Sequence, residues 1–272
     1  MISKQQSPLS KEQIAFFNKN GYLTIPQFAN RSQLESLKTE IRKVIADSPH
    51  NNNAIFSTSN KVETDLTYFL ESGDKIRCFF EEKRNTDGSL AVNKVGHALH
   101  QLNPLFTAFS ENPSYKAISS QIGHKEPVIL QSQYILKLPG VGGEVVPHTD
   151  STFLYTDPET CLGFWLALDN ATQENGCLWV IPGSQEIPLQ ERYVRTENGK
   201  ATKFIPMTEH KEPLDLSEKI PLEVIAGDLV LLHGRLLHFS EANRSEHSRH
   251  AFVLHFVDNS ATYPQNNWLQ SN

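Results

Sequence analysis

The tetrapeptide Pro147-His148-Thr149-Asp150 is the stretch on which the fold prediction depends. Side chains alternate between the two faces of an extended strand, so His148 and Asp150 project to the same side and can share one metal ion. A third ligand must come from elsewhere in the chain. His238 lies in the apolar segment Leu236-Leu237-His238-Phe239-Ser240, which is typical of a buried strand. Two distant strands that converge on one ion predict the interior of a β-barrel.

Two other triplets share the same pattern, His124-Lys125-Glu126 and His210-Lys211-Glu212, so the pattern alone is weak. Both decoys carry a lysine between the candidate ligands and lie among charged or turn-forming residues, which predicts solvated loops. The triplet at His148 instead follows an apolar strand that ends at Leu138 and the glycine-rich bend Gly140-Val141-Gly142-Gly143. Sequence context therefore selects it.

His233 competes with His238 for the third ligand position because it lies in the same apolar run. The spacing to Ser240 and Arg249 favours His238. Five histidines are interpreted either as structural residues or as residues that contact the metal ligands without binding the metal: His97, His100, His233, His250 and His255.

Composition limits the classes of function. The chain has 272 residues, 38% of them hydrophobic, and can bury a substantial core. Its net charge of −6 and its lack of a long basic run predict neither nucleic acid nor an anionic membrane as a partner. Three cysteines without C-x-x-C spacing argue against a disulfide framework or a thiolate zinc site. No apolar run is long enough for a membrane span, and we expect a cytoplasmic protein.

The first half of the chain is predicted to be mainly helical. Capping boxes at Ser10–Gln13 and Ser32–Glu35 open two helices, with the strand Tyr22–Ile25 between them. Residues 50–64 are polar and predict a mobile flap. Further elements are expected as follows: a strand at Lys75–Phe80, a turn at Asn85–Gly88, and helices at Lys94–Leu102 and Pro113–Ile122.

After residue 126 the pattern changes to short apolar runs separated by turn residues. Strands are predicted at Val128–Leu138, Cys161–Leu168, Cys177–Ile181, Leu222–Ile225, Leu229–Leu232, Leu236–Ser240 and His250–Val257. Asn175-Gly176 predicts a hairpin turn, and the charged segment Gln185–Glu218 predicts an insertion over the barrel mouth. We expect a mainly β fold with flanking helices, a double-stranded β-helix of the jelly-roll or cupin-like type. The chain is predicted to be a single domain over 1–272, with helical support at 1–126 and the jelly-roll core at 127–258.

The ligand set indicates a particular chemistry. Two histidines and one carboxylate on one face, with other positions open, suit a non-haem Fe(II) centre. Arg249 offers a permanently charged planar fork that suits the distal carboxylate of an organic co-substrate. The residues together predict an oxygenase.

Several motifs in order along the chain resemble the phytanoyl-CoA dioxygenase family. They are G-G-E-x-x-P-H-x-D at 142–150, L-G-x-W-x-A at 162–167, E-N-G-C-L-W-x-I-P-G-S at 174–184, G-D-L-V-L-x-H-G at 227–234, H-x-S at 238–240 and S-R-H-A-F at 248–252. N-terminal motifs fit as well, at 20–28, 72–81 and 93–100. The resemblance covers nearly the whole chain.

The resemblance implies an Fe(II)- and 2-oxoglutarate-dependent dioxygenase that hydroxylates a small organic or acyl-type substrate with O2 and releases succinate and CO2. His148, Asp150 and His238 match the metal positions. The other matches lie around the 2-oxoglutarate pocket: Arg249 and Ser240 at the distal carboxylate, and Lys94, Gln133, Thr149 and Trp165 along the walls. Asp150 also favours hydroxylation, because related halogenases lack this carboxylate.

Two positions depart from the family pattern. Gln133 stands where a similar protein has methionine, and Gln185 stands where many members carry histidine. Two other classes of protein compete with the oxygenase, because the same three ligands can form an open catalytic zinc site of a hydrolase or the structural metal site of a non-catalytic jelly-roll protein. The primary substrate, whether a CoA ester or a free acid, and the oligomeric state are not encoded in these motifs.

Overall fold

The structure is a computed structural model that describes residues 9–48, 66–210 and 213–270. Its helices are α1 (Lys11–Asn20), α2 (Arg31–Asp47), α3 (Leu66–Leu70), α4 (Leu99–Leu102), α5 (Pro104–Ser110), α6 (Pro113–Gln121) and α7 (Asp150–Phe153), with one 3-10 turn at Ser184–Glu186. Its strands are β1 (Tyr22–Ile25), β2 (Ile76–Arg84), β3 (Leu90–His97), β4 (Pro127–Lys137), β5 (Val145–His148), β6 (Leu162–Ala167), β7 (Leu178–Val180), β8 (Glu191–Arg195), β9 (Thr202–Pro206), β10 (Ile220–Leu222), β11 (Leu229–His233), β12 (His238–Ser240) and β13 (Arg249–Asp258).

The strands form two main antiparallel sheets. The large sheet has the order β1-β11-β6-β13-β4-β3-β2, and the small sheet has the order β10-β7-β12-β5. A separate hairpin joins β8 and β9. The chain repeatedly passes from one sheet to the other, as at Gly234 between β11 and β12. The predicted double-sheet fold with flanking helices is confirmed.

The two faces of the large sheet bury different kinds of side chain. Residues directly opposite one another in neighbouring antiparallel strands share a face. One face carries Tyr134, Phe164 and Phe252, which join Leu37 and Ile41 of α2 in a single hydrophobic core. Each of these buried side chains contributes about 1.5–3 kcal/mol of transfer free energy. The helices therefore cover the outer face, while the inner face is turned toward the small sheet.

The inner face is partly apolar and partly polar. Trp165, Val230, Ala251 and Val253 pack with Leu178 of the small sheet in a second core. At the same sheet face the strands also carry buried polar side chains, which are Gln131, Lys137, Arg249 and His255. Buried polar groups cost free energy when they lack partners, so their presence on this face indicates a ligand-binding site.

Several N-terminal predictions hold. Ser10 caps α1 in a capping box with Gln13, and Gly21 ends the helix with φ 78°. The second helix begins earlier than predicted, because Asn30 and Gln33 form its capping box and the prediction of Ser32–Glu35 is wrong. Asparagine caps a helix as well as serine does, and its side chain accepts from the Gln33 backbone N–H.

Other predictions need correction. The helix expected at Lys94–Leu102 is wrong up to His97, because those residues form β3 between β2 and β4; only Leu99–Leu102 is helical. Gly176 does turn the chain, with φ 85°, but β6 and β7 belong to different sheets and the hairpin at Asn175-Gly176 is wrong. Residues 50–64, Lys211 and Glu212 lie outside the described residues.

The segment Gln185–Glu218 has more regular structure than its charge pattern predicts. It contains the hairpin of β8 and β9, in which Tyr193 lies opposite Phe204. The strand expected at Leu222–Ile225 ends at Leu222 and begins at Ile220.

The three cysteines are buried free thiols. Among the described residues, no helix combines the length and the apolar character that crossing a bilayer requires.

Candidate active site

The two sequence-predicted histidine ligands lie on adjacent strands of the small sheet. His148 ends β5, and His238 begins β12 directly opposite it. Asp150 is the first residue of α7 and not a strand residue, so the prediction that it shares a strand with His148 is wrong in this detail. Thr149 between them is nonetheless extended, with φ −120° and ψ 140°, which keeps both side chains on one side. The backbone N–H of Ser151 donates to the Gly234 carbonyl at 2.8 Å, and this bond turns the chain into the helix.

The three side chains converge. One ligand atom from each of His148, Asp150 and His238 lies within 4.8 Å of the others. Asp150 Oδ1 is 3.8 Å from the Nε2 atom of each histidine. The donor set has two imidazole nitrogens and one carboxylate oxygen, and it fits a divalent transition metal.

Both ligand imidazoles are oriented by the same backbone device. Nδ1 of His148 lies 2.9 Å from the Val146 carbonyl, and Nδ1 of His238 lies 2.9 Å from the Leu236 carbonyl. A carbonyl only accepts, so each Nδ1 carries the proton and each Nε2 lone pair faces Asp150. Burial, with the neighbouring His238, lowers the pKa of His148 to about 4, so His148 is neutral and able to coordinate a metal near neutral pH.

Asp150 is buried and ionised. Burial alone would raise the pKa of its carboxyl, but the imidazoles of His255, His238 and His148 outweigh burial and hold the pKa well below its usual range. Gly163 leaves room for this carboxylate, because a Cβ there would lie 3.1 Å from Asp150 Oδ2. This glycine of the buried strand β6 thus has a specific steric role.

Arg249 occupies the first position of β13 and is 1% exposed. Its Nε donates to the Gly176 carbonyl at 3.1 Å, and its Cζ lies 5.5 Å from the ring centroid of Trp165. Nη1 is buried without a hydrogen-bond partner among the described residues. Burial lowers the pKa of Arg249 to about 10, so it is still charged at neutral pH. A buried charged donor without a partner fits a carboxylate ligand.

The other sequence-predicted pocket residues take different places. Trp165 and Gln133 both lie opposite Val253, on its two sides, and so share the inner face of the large sheet. Ser240 is buried on β12, two residues beyond His238. Trp165 and Gln133 therefore share the sheet face that carries Arg249, and Ser240 lies on the strand that carries His238.

Lys94 and Thr149 have identifiable neighbours. Lys94 is 7% exposed, its Nζ lies 5.3 Å from the ring centroid of Phe79 and 5.9 Å from that of Phe69, and burial lowers its pKa to about 7. Thr149 Oγ1 lies 2.9 Å from Thr152 Oγ1, which engages its hydroxyl within the turn. A role of Thr149 toward the co-substrate stays a prediction.

Sequence reasoning missed Lys137. This residue is 1% exposed and lies opposite Arg249 in the large sheet. Its Nζ donates to the carbonyls of Gly143 and Glu241 at 2.6 Å each and lies 3.4 Å from that of Ser240. Burial and then Arg249 lower its pKa to about 6. One sequence feature could have identified Lys137: it lies at an even spacing from Gln133, on a strand whose inner face is buried.

His255 was also left without a specific role. Its Nε2 lies 3.3 Å from Asp150 Oδ2, and its Nδ1 lies 3.1 Å from Gln131 Nε2. The even spacing from Arg249 along β13 places both residues on the same face and could have identified it. His233, the competitor for the third ligand position, instead accepts from the Arg235 N–H through Nδ1 and lies beside Phe17, with ring centroids 6.3 Å apart.

A series of aromatic rings leads outward from the ligands. The ring of Phe153 lies 6.1 Å from that of His148, Tyr193 lies 5.5 Å from Phe153, and Phe204 lies 4.9 Å from Tyr193. Phe204 is 52% exposed. The β8–β9 hairpin therefore contributes an apolar wall between the metal ligands and the surface.

Comparison with known proteins agrees with this architecture. The sequence profile of the family described as phytanoyl-CoA dioxygenase (PhyH) matches residues 17–251. A phytanoyl-CoA dioxygenase of Arabidopsis thaliana is 40% identical over 270 residues, with 96% of this chain and 94% of the relative covered. Phytanoyl-CoA dioxygenase domain-containing protein 1 of Bos taurus is 39% identical over 280 residues, which covers 96% of this chain and 95% of the relative.

Solved structures share the fold at lower sequence identity. EctD from S. alaskensis, crystallised with 2-oxoglutarate and 5-hydroxyectoine, superposes with a TM-score of 0.66 at 18% identity and covers 98% of this chain and 85% of its own. The non-heme alpha ketoglutarate dependent carbocyclase SnoK superposes with a TM-score of 0.66 at 21% identity, with 96% and 90% covered. The fold, the converging His-Asp-His group and the extent of the sequence match lead to one assignment: this chain is a member of the phytanoyl-CoA dioxygenase family.

Proposed function

We propose that this protein is an Fe(II)- and 2-oxoglutarate-dependent dioxygenase in which His148, Asp150 and His238 hold the metal. The observation that carries the proposal is the combination of this ligand group with the buried guanidinium of Arg249, whose Nη1 has no hydrogen-bond partner among the described residues. A metal site alone fits many chemistries. A metal site with a buried carboxylate receptor on the facing sheet fits a co-substrate that chelates at one end and carries a carboxylate at the other.

The chain's own groups have distinct tasks in this proposal. Three ligands on one face leave the other coordination positions of an octahedral ion open. The Val146 and Leu236 carbonyls hold both imidazoles in the tautomer that coordinates through Nε2. Arg249 binds the distal carboxylate through its planar fork, and the Trp165 ring beside it excludes water. When bound, Fe(II) and 2-oxoglutarate supply O2-dependent decarboxylation to succinate and CO2, coupled to hydroxylation of a substrate C–H bond.

We also propose that the remaining predicted residues, Ser240, Lys94, Trp165, Gln133 and Thr149, line the co-substrate pocket. Gln133 and Trp165 support this because they lie on β4 and β6, the two strands that flank the strand of Arg249, and Lys94 lies on β3, the next strand beyond β4. Ser240 supports it through its position on the same strand as His238. The proposal includes a single catalytic domain over 1–272, since α1 and α2 share a hydrophobic core with the large sheet.

For the primary substrate, we propose a small organic or acyl-type molecule with an apolar portion. The aromatic series Phe153, Tyr193 and Phe204 supports an apolar contact next to His148. The names of the plant relatives point to an acyl chain, which would pack on such rings. Aromatic side chains offer a large apolar area at low conformational cost.

The experiment is anaerobic reconstitution with Fe(II) and 2-oxoglutarate, followed by the visible charge-transfer absorption of the chelate and by succinate formation after oxygen is admitted. We expect absorption in the wild type, none in Asp150→Ala, and a strongly increased 2-oxoglutarate concentration requirement in Arg249→Ala. Arg244→Ala is the matched control, because Arg244 is an exposed arginine that is not among the residues assigned to the site.

The outcomes separate the competing classes of protein. A zinc hydrolase would bind metal but show neither the chelate absorption nor succinate, since its chemistry needs no 2-oxo acid. A non-catalytic metal-binding jelly roll would bind metal without turnover. Wild-type protein that binds Fe(II) yet gives no chelate absorption at saturating 2-oxoglutarate contradicts the proposal.

A further inference from the structure

We propose that His255 is a positioning residue for the metal-binding carboxylate. In this inference His255 holds the outer oxygen of Asp150 so that the inner oxygen faces both histidine ligands, and Gln131 selects the tautomer of His255 that can do so. The inference rests on the metal site of the proposed function, and it assigns that site a partner on the large sheet.

The two oxygens of Asp150 have different surroundings. Oδ1 lies 3.8 Å from Nε2 of His148 and 3.8 Å from Nε2 of His238. Oδ2 is buried without a hydrogen-bond partner among the described residues, and Nε2 of His255 lies 3.3 Å from it. A small rotation of either side chain makes this contact a hydrogen bond. The carboxylate is thereby divided into one oxygen for the metal and one for His255.

Gln131 determines which ring nitrogen of His255 carries the proton. Nε2 of the Gln131 amide lies 3.1 Å from Nδ1 of His255, and an amide nitrogen only donates. Nδ1 must then accept, which places the imidazole proton on Nε2, where it faces the carboxylate. The opposite amide orientation would place the proton on Nδ1 and turn the Nε2 lone pair of a neutral His255 toward the negative Asp150.

The large sheet builds this arrangement as one row across three strands. His255 on β13 lies opposite Gln131 on β4 and opposite Gly163 on β6. Gly163 contributes empty space, since a Cβ there would lie 3.1 Å from Asp150 Oδ2. A donor relay on one side and a missing side chain on the other form a cradle that fits a carboxylate.

With His255 included, each of the three metal ligands has an outer partner that orients it. His148 and His238 each have a backbone carbonyl behind the coordinating ring, whereas Asp150 begins the four-residue helix α7 and depends on a side chain. Outer partners of this kind are worth 10–100-fold in metal affinity, roughly, in characterised metal sites. His255 is not among the three residues whose ligand atoms converge, so it acts through Asp150.

The test is the affinity of metal-free protein for Co(II), titrated anaerobically and followed by the ligand-field absorption of the bound ion. We expect His255→Leu to weaken binding by about 10–100-fold. His255→Gln, which restores an N–H donor, should recover most of that loss. Gln131→Leu should weaken binding less and in the same direction, because it removes only the choice of tautomer.

The matched control is His250→Gln. His250 lies on the same strand but on the opposite face, where Nδ1 lies 2.9 Å from the Tyr134 hydroxyl. Its substitution should leave Co(II) affinity unchanged. Thermal unfolding of each metal-free variant separates loss of the site from loss of the fold.

The outcomes distinguish this inference from the proposed function. Wild-type protein that binds no Co(II) overturns the metal site and the inference with it. If the wild type binds and His255→Leu binds equally tightly, the inference is overturned while the metal site stands. If His255→Leu does not fold, the decision rests on His255→Gln and Gln131→Leu: equal affinities of wild type and Gln131→Leu would contradict the relay.

Discussion

Individual residues in this protein are oriented before any ligand binds. The coordinating rings of His148 and His238 are each held by the carbonyl two residues earlier in the chain, at 2.9 Å in both cases. Arg249 is held by a hydrogen bond from Nε to the Gly176 carbonyl, and its Nη1 has no hydrogen-bond partner in the part of the chain that the structure describes. Because these groups are positioned by short local contacts, side-chain entropy lost on binding is small.

Substitution of Arg249 by lysine tests whether the planar fork or only the positive charge matters. A lysine keeps the charge but cannot make two parallel hydrogen bonds to one carboxylate. Loss of one charge-assisted hydrogen bond costs about 1.5–3 kcal/mol, so we expect the dissociation constant for 2-oxoglutarate to rise by about 10–100-fold. Equilibrium titration of the chelate absorption measures this change.

The control for Arg249→Lys is metal affinity in the same preparation, which should not change because residue 249 is not a metal ligand. A lysine variant that binds 2-oxoglutarate as tightly as the wild type would show that charge alone is recognised. A parallel loss of metal affinity would indicate a general distortion of the barrel.

Elements of the fold differ in how well the sequence predicts them. Strands β4, β6, β11 and β13 were predicted within a few residues, because each is a run of apolar and β-branched side chains bounded by turn residues. The second half of β3, from Lys94 to His97, is predicted as part of a helix, and the strand also contains Asn93, Lys94 and Gly96, which are uncommon in strands. Lys94 is buried there with its Nζ beside the rings of Phe69 and Phe79, and these contacts form only when α3 and β2 have packed around β3.

The residues of the candidate site also differ in how well the sequence predicts them. His148, Asp150, His238 and Arg249 follow from spacing and from family motifs. The contact of His255 with Asp150 and the contacts of Lys137 depend on which strands become neighbours. Register across β4 and β13 is a property of the whole sheet, and no short segment encodes it.

Lys137 joins three elements at one end of the barrel. Its Nζ donates to the carbonyls of Gly143, before β5, and of Ser240 and Glu241, at the end of β12. Both strands that carry histidine ligands are thus tied to β4. The connection explains how the small sheet keeps its position relative to the large one at the end where Arg249 lies.

Replacement of Lys137 by methionine should destabilise the protein. Each buried carbonyl left without a donor costs about 1–3 kcal/mol, and we expect the free energy of unfolding to fall by at least about 2 kcal/mol. Urea denaturation of the metal-free protein measures it. Lys75→Met is the control, because the side chain of Lys75 forms an exposed ion pair with Glu71 at 3.6 Å, and its loss should change stability by less than about 1 kcal/mol. Equal stability of Lys137→Met and wild type would contradict the role of the lysine.

At the scale of the whole molecule, the large sheet separates two environments. Its outer face and the helices form an apolar core, and its inner face holds the charged and polar groups of the site. His97 ends β3 and His100 lies in α4, and both are buried. Burial, together with Lys94 and His255, holds the pKa of His97 well below its ordinary value, and burial lowers the pKa of His100 to about 4.

These two histidines predict acid sensitivity of the fold. In the unfolded chain a histidine has a pKa of about 6.5, whereas in the folded protein His100 stays neutral down to about pH 4. Between these values the unfolded state binds more protons, so the free energy of unfolding decreases as the pH falls. The slope approaches about 1.4 kcal/mol per pH unit for each such histidine.

Urea denaturation of the metal-free protein at intervals between about pH 7 and about pH 4.5 measures the slope. His100→Gln should reduce the slope by the contribution of about one proton. His247→Gln, a substitution at an exposed histidine, should leave the slope unchanged. If His100→Gln shows the same slope as wild type, then His100 gains a proton in the folded state as readily as in the unfolded chain, and its burial does not control the acid response.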